Sequence, residues 1–239
     1  MTPAKYQAFC WMGAISSLLL VSACAHHATF ACPPLTLEDI EADKLEHHIN
    51  NWSNDWTPLF DSRTLTNWEV TDFGGHGKVA VASGQINIGM GAELSGITWT
   101  NGTLPETDYE ISLQAMKVDG SDFFCGLTFP VTKSWCSLII GGWGGGVIGL
   151  SSLDDNDASE NETTSSMNLA TGHWYQVRLR VTPVKIQAWL DQEKIIDVPI
   201  SGKKVSLRPG SIFLCVPLGV ATYETSAAIR DFKLRLIEH

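Results

Sequence analysis

The chain has 239 residues, with 16 Lys and Arg against 26 Asp and Glu and a formal net charge of -10. That acidic balance argues against a nucleic-acid partner and against binding anionic headgroups through a basic patch. The length suits one domain with a large core rather than two small ones.

At the start of the chain Lys5 precedes a mostly apolar run from Ala8 to Leu20, and no acidic residue occurs before Glu38. This is the layout of a secretory signal. Gly13, Ser16 and Ser17 break the run, which falls short of the about 20 apolar residues of a membrane span, so removal is favoured over retention. The run ends in Val21-Ser22-Ala23-Cys24. These residues resemble the lipobox of bacterial lipoproteins, a branched apolar residue and two small ones before a cysteine. The resemblance implies lipid on the Cys24 thiol, loss of residues 1–23 and a membrane partner reached through acyl chains, each buried CH₂ adding roughly 0.8 kcal/mol. The expected location is the cell envelope, lipid-anchored, at the outer membrane or periplasmic face. A secreted protein with a chance cysteine at this place is the alternative.

Residues 24–54 read as a tether. Thr36 and Asp39 form a capping box, and Leu37, Ile40 and Leu45 give one short helix a thin apolar stripe. Beyond Trp56 the pattern is all-β: short runs rich in Val, Ile, Thr and aromatics, punctuated by Gly, Pro, Asn and Asp. Val79 to Ala82 and Gln85 to Ile88 flank Ser83-Gly84 as a hairpin. Tyr109 to Val118 alternates inward Ile111, Leu113 and Ala115 with Ser112 and Gln114. Phe123 to Phe129 and Trp135 to Ile140 predict a second hairpin, followed by strands at Trp174 to Val181, Lys185 to Leu190, Lys194 to Val198, Ile212 to Val216 and Ala227 to Leu236. So many strands in one region fit a single sandwich over residues 55–239.

Gly144, Gly146 and Gly149 satisfy the spacing G-x-G-x-x-G. A phosphate-cradling loop needs a helix behind it, yet Leu150 to Ser166 has no helical periodicity, so no nucleotide is expected.

Trp56-Thr-Pro-Leu-Phe60-Asp-Ser-Arg-Thr-Leu65-Thr-Asn-Trp68 resembles the W-x-x-L-F-[DN]-G-x-x-L-x-x-W opening of the 3-keto-disaccharide hydrolase domain family. Further resemblance lies in the hairpin around Ser83-Gly84, in Thr107-Asp-Tyr109-Glu-Ile-Ser-Leu, in Gly172-His-Trp174-Tyr-Gln-Val-Arg178 and in Ala227-Ala-Ile-Arg230-Asp-Phe-Lys-Leu-Arg235-Leu. The resemblance implies a concanavalin-A-like, laminin-G-like jelly roll and a carbohydrate ligand. It also implies cleavage of 3-keto-glucosides: the ketone acidifies the hydrogen at carbon 2, a base removes it, the aglycone at carbon 1 leaves and water adds. Many members carry polar residues, often a carboxylate, on the strand after a mid-domain S-G-[IL] stretch, whereas here that stretch reads Cys136-Ser-Leu-Ile-Ile-Gly-Gly. That departure favours the alternative, a non-catalytic carbohydrate-binding or adhesion module.

The reaction needs a base, an acid and a positive group or metal for the enolate oxygen. The acidic tract Asp154 to Glu162 is the richest source. If extended, it places Asp155 and Asp157 on one face and Glu160 and Glu162 on the other. The charge pattern is similar to the E-x-D-x-x-E strand of related glycanases, and such a cluster can hold a divalent cation through oxygens. A solvated acidic loop is the plain alternative. Trp143, among glycines, is a candidate sugar platform or else a core residue; Trp56, Trp68, Trp174 and Trp189 fall on strand positions expected in the core. Arg230 in the last strand is an enolate-binding candidate if it points inward, and His76 in Gly74-Gly-His-Gly77 is a candidate base. Cys125 and Cys136, on the two arms of the second hairpin, are expected either to form a disulfide or to be buried thiols.

Overall fold

The computed structural model describes residues 52–238. Cys24 and the expected tether helix lie outside these residues. In chain order the strands are β1 (Thr57–Pro58), β2 (Trp68–Val70), β3 (Val79–Ala82), β4 (Gln85–Ile88), β5 (Leu94–Trp99), β6 (Tyr109–Gly120), β7 (Cys125–Val131) and β8 (Ser134–Gly141). They continue as β9 (Val147–Ser151), β10 (Ser165–Ser166), β11 (Trp174–Val181), β12 (Lys185–Leu190), β13 (Glu193–Pro199), β14 (Gly219–Tyr223) and β15 (Thr225–Leu236). One sheet is 8-stranded, in the order β13-β12-β11-β6-β15-β4-β3 with β1 also on β15. The other is 7-stranded, in the order β10-β9-β8-β7-β14-β5-β2. All pairings are antiparallel, and the two sheets stack as the all-β sandwich that the residue pattern predicts, with the jelly-roll form that the family resemblance implies.

Period-two alternation builds the core. Ile111, Leu113 and Ala115 of β6, Val177 and Leu179 of β11, and Ala227 and Ile229 of β15 face Leu127, Leu138, Ile140, Leu150 and Val220 across the sandwich, all buried. The β3–β4 hairpin turns on Ser83 and Gly84, both with positive φ (54° and 75°), the turn whose twist matches that of the strands. A register shift in β15 between Arg230 and Lys233 turns Phe232 inward, its ring 5.0 Å from that of Trp68. Leu59, Phe60 and Trp68 of the opening motif are buried together, and Trp68 Nε1 donates to Leu59 O at 2.7 Å. Trp52 Nε1 donates to Thr103 O at 3.0 Å and Leu236 N–H to Ser53 O at 2.7 Å, so the chain is already docked on the sandwich at these residues.

Four expectations need correction. Ser211–Cys215 is a 3-10 turn, not part of a strand: its short apolar run carries no period that separates the two. Cys125 and Cys136 are free thiols. Cys125 opposes Ile140 whereas Cys136 opposes Phe129, an offset of four residues, or about 13 Å of strand, far beyond disulfide reach. Trp56, Trp174 and Trp189 are only half-buried, outside the core, each beneath an arginine: Arg235, Arg230 and Arg178 at 4.5, 3.9 and 3.9 Å from the ring centres. The acidic tract is not extended, because Asp154 and Asp155 take left-handed φ values of 48° and 65° and turn the chain.

Candidate active site

The outward face of the 7-stranded sheet is floored by small side chains. Across β5, β14, β7, β8 and β9 the register aligns Gly96, Ala221, Gly126, Ile139 and Gly149 in one row, and Thr98, Gly219, Thr128, Ser137 and Ser151 in the next. Loops cover both flanks of this floor. On one side the acidic loop crosses β9, where Asn161 Nδ2 donates to Leu150 O at 2.7 Å and to Asp157 O at 2.8 Å. A Cβ on Gly149 would lie 2.6 Å from Ala158 O, so glycine is required there. On the other side the 3-10 turn sits over Gly219, and the Phe123 ring lies over Gly126. Between the flanks remains a cavity of about 470 Å³, within the usual size of a small-molecule site.

Its polar wall is built on Arg208. Residues 204–206 run beside 152–154, with Ser152 N–H donating to Ser206 O at 2.6 Å and Ser206 N–H to Ser152 O at 3.1 Å, and this pairing delivers Arg208 to the cavity. The guanidinium is 3.4 Å from Asp157 Oδ2 and its carbon 5.8 Å from the Trp143 ring centre. Asp157 is itself fixed: Ser151 Oγ and Ser152 Oγ donate to its Oδ1 at 3.0 and 3.2 Å. One carboxylate oxygen is therefore anchored while the other faces Arg208 across a gap longer than a hydrogen bond.

Trp143 stands at the mouth, 41% exposed, in a turn where Gly141, Trp143, Gly144 and Gly145 all have positive φ. Only glycine adopts such a run freely, and it leaves the indole without flanking side chains. Asp122 holds the turn, its Oδ2 accepting from Gly144 N–H at 3.0 Å and its Oδ1 from Phe123 N–H at 2.8 Å. Leu94, Phe123, Ile139, Ile212 and Tyr223 form the apolar wall, with Glu93 beside it. The Tyr223 phenol is held above its ordinary value of 10.0, first by the charge of Glu224, then by burial and the charges of Glu93 and Asp122. At neutral pH it therefore carries its proton.

Of the residues singled out in the sequence, Trp143 lines the cavity and Asp157 meets Arg208 at its edge. The rest are elsewhere. Asp155 pairs with Lys204 at 2.7 Å in solvent and Glu162 with Lys203, while the Glu160 residue is exposed. His76, also exposed, has its Nδ1 2.9 Å from Gly77 O. Arg230 lies on the 8-stranded sheet, its Nε donating to Gln114 Oε1 at 2.7 Å. Glu93, Asp122, Arg208 and Tyr223 were not found from the sequence; they come from four separated loops and strand ends that no spacing rule connects. Among the described residues no three His, Cys, Asp or Glu gather to hold a metal, so the acidic tract does not form the divalent-cation cluster that its composition allows.

Residues 55–216 match the 3-keto-alpha-glucoside-1,2-lyase-like domain. The chain belongs to this family. No curated protein matches it. Among solved structures, a sialidase is similar with a TM-score of 0.50 at 11% identity, over 77% of this chain and 19% of that one. The carbohydrate-binding module CBM66 from Bacillus subtilis has a TM-score of 0.48 at 12% identity, over 71% and 95% of the two chains. Domain 4 of AbnA, an extracellular arabinanase from Geobacillus stearothermophilus solved with arabinotriose, has a TM-score of 0.45 at 13% identity, over 71% and 82%. At such identities a likeness concerns the fold, and function must be argued from the cavity.

Proposed function

We propose that this family member cleaves 3-keto-glucosides by elimination and hydration in the cavity of the 7-stranded sheet. The observation that carries the reading is the Asp157–Arg208 pair at the edge of a site-sized cavity that Arg208 and a proton-bearing Tyr223 both line, one oxygen of the carboxylate anchored by serines and the other turned toward Arg208. Asp157 takes the proton from carbon 2, and the electron pair moves onto the ketone oxygen at carbon 3. Arg208 stabilises that enolate, since its guanidinium is permanently charged and makes no hydrogen bond among the described residues. The enolate then re-forms the ketone as the bond from carbon 1 to the aglycone oxygen breaks, and Tyr223 supplies the proton that oxygen takes up. Water then gives a proton to the Tyr223 phenolate and its hydroxyl to carbon 1 of the resulting enone, Asp157 returns its proton to carbon 2, and 3-keto-glucose is released. The test is to incubate the purified chain with a 3-keto-glucoside and follow released aglycone. No release from the wild type would overturn the lyase reading.

One observation favours a second reading, a carbohydrate-binding module. The strand β8 presents Ser137 and Ile139 to the cavity and no carboxylate, so every titratable group comes from surrounding segments. Sugar binding without turnover would decide for the module.

For location we propose a lipid anchor at Cys24, supported by the lipobox-like Val21-Ser22-Ala23-Cys24. Fatty-acid labelling that is equal in wild type and Cys24→Ser would end that proposal.

A further inference from the structure

The cavity is chemically two-sided. The register places Ser137 and Ser151 on adjacent strands β8 and β9, with Asp157 and Arg208 above them. At the opposite diagonal, Leu94 and Tyr223 are direct partners on β5 and β14, roofed by Ile212 of the 3-10 turn and flanked by Phe123, whose ring centre is 6.0 Å from that of Tyr223. A hexose ring carries hydroxyls around its whole edge, and a buried hydroxyl left without a partner costs about 1–3 kcal/mol. The first end offers sugar hydroxyls the Arg208 guanidinium and the acceptor capacity left on Ser137 and Ser151, whose own hydroxyls also bond Thr128 and Asp157. The second supplies the Tyr223 phenol, the Glu93 carboxylate and Ser211, with Asp122 already accepting from Phe123 and Gly144 N–H; the rest of its surface is branched aliphatic and phenyl, which suits an apolar group better than a second sugar.

We infer that the substrate is a glycoside of an apolar, ring-bearing alcohol, its sugar seated at Ser137, Ser151 and Arg208 and its aglycone at Leu94, Phe123 and Ile212. This rests on the lyase reading and deepens it by naming the aglycone class. The orientation is consistent with the proposed chemistry: carbon 3 at Arg208, carbon 2 at Asp157, and the leaving oxygen toward Tyr223, at the boundary of the two ends. A disaccharide would place its second ring against Leu94 and Ile212 and lose the hydration of that ring.

The experiment compares steady-state cleavage, by the full chain, of the 3-keto forms of methyl glucoside and 2-phenylethyl glucoside in both anomers, and of a disaccharide of each linkage. Methanol and 2-phenylethanol are alcohols of similar acidity, so the comparison reads binding more than leaving-group strength. The expected result is a KM about tenfold lower for the 2-phenylethyl compound than for the other two, the worth of burying one apolar ring. Leu94→Ser and Ile212→Ser should each raise the KM of the 2-phenylethyl compound severalfold more than that of the methyl compound and so remove most of that advantage; the second lies on a surface turn and guards against loss of folding. Equal KM for methyl and 2-phenylethyl, or a lower KM for a disaccharide, would overturn the aglycone assignment while the lyase reading stands. If no keto-sugar is cleaved the lyase reading fails, and calorimetric affinities of the unoxidised glucosides then decide: tenfold tighter binding of the 2-phenylethyl compound supports the apolar end, and equal affinity overturns it.

Discussion

On the 8-stranded sheet the outward side chains are long and already engaged with one another. Arg180 and Arg235 both bond the fully buried Glu110, at 2.7 and 2.5 Å, and Arg178, Arg230 and Arg235 lie on tryptophan rings. On the 7-stranded sheet the outward positions are Gly, Ala, Ser and Thr, and a cavity remains above them. A face whose charges satisfy each other has few donors left for a ligand, whereas one that keeps its side chains short leaves volume for loops to line. This is why the chemistry is placed on the second face, although the first holds more arginines.

The largest expected effect breaks the ligand-facing side of this comparison. Asp157→Asn keeps an acceptor for Ser151 and Ser152 but removes the base, and should lower kcat on a 3-keto-glucoside by about 10²- to 10⁴-fold with the melting temperature nearly unchanged. Unchanged kcat would remove Asp157 from the chemistry. Next in size is the core that separates the two faces. Burial pushes the thiols of Cys125, Cys136 and Cys215 from 9.0 up to about 12, which lowers their thiolate fraction about a thousandfold near pH 8. Peptide mapping should find no disulfide among these three cysteines, and their alkylation should await unfolding. Because the folded values are raised, the stability these groups contribute is present below 9 and lost as pH rises toward 12. Rapid alkylation of Cys125, Cys136 or Cys215 in the native protein would contradict such burial.

Much of the fold was legible in the sequence because half-buried strands alternate. The hairpin Val79 to Ile88, β6, β11 and β15 were found within a few residues on period alone. Strands β5 and β14 were not, since Leu94-Ser-Gly-Ile-Thr-Trp99 and Gly219-Val-Ala-Thr-Tyr223 put small residues on the cavity side and blur the contrast between faces. The same small residues that hide these strands make the cavity. Of the site, Trp143 was readable because a glycine run leaves an aromatic uncovered, and Asp157 because it belongs to a conspicuous acidic tract. Arg208 and Tyr223 were not readable: Tyr223 is an ordinary residue until the pairing of β14 with β7, some ninety residues apart, brings its neighbourhood to Asp122 and Phe123, and Arg208 is one until residues 204–206 pair with 152–154.

A third prediction tests the self-satisfied face. Burial pushes Glu110 upward, but the hydrogen bonds and charges of Arg235 and Arg180 outweigh it and hold the carboxyl below its ordinary 4.5. A lowered folded value means stability that is present above 4.5 and lost as pH falls through the lowered one. Glu110→Gln should cost about 2–3 kcal/mol in urea unfolding at pH 7, less than a fully buried pair because the guanidiniums are 36% and 32% exposed. The variant should also lose the part of the acid-side slope that Glu110 supplies, while turnover stays within twofold.

The smallest effect discriminates most sharply between the faces. Arg230 was a candidate for holding the enolate, yet it stands on the sheet opposite the cavity, bonded to Gln114 and 3.9 Å above the Trp174 ring. Arg230→Met keeps the aliphatic stem over the indole and removes the charge and the hydrogen bond. The expected cost is about 0.5–1 kcal/mol from the lost cation–π contact, seen as a small fall in the urea midpoint, with kcat/KM unchanged. A loss of turnover beyond tenfold at nearly unchanged stability would move the chemistry to the 8-stranded sheet. Each face offers one candidate arginine, so Arg230→Met and Arg208→Met measured side by side tell which face makes the enolate: the first should be silent in kcat and the second should not.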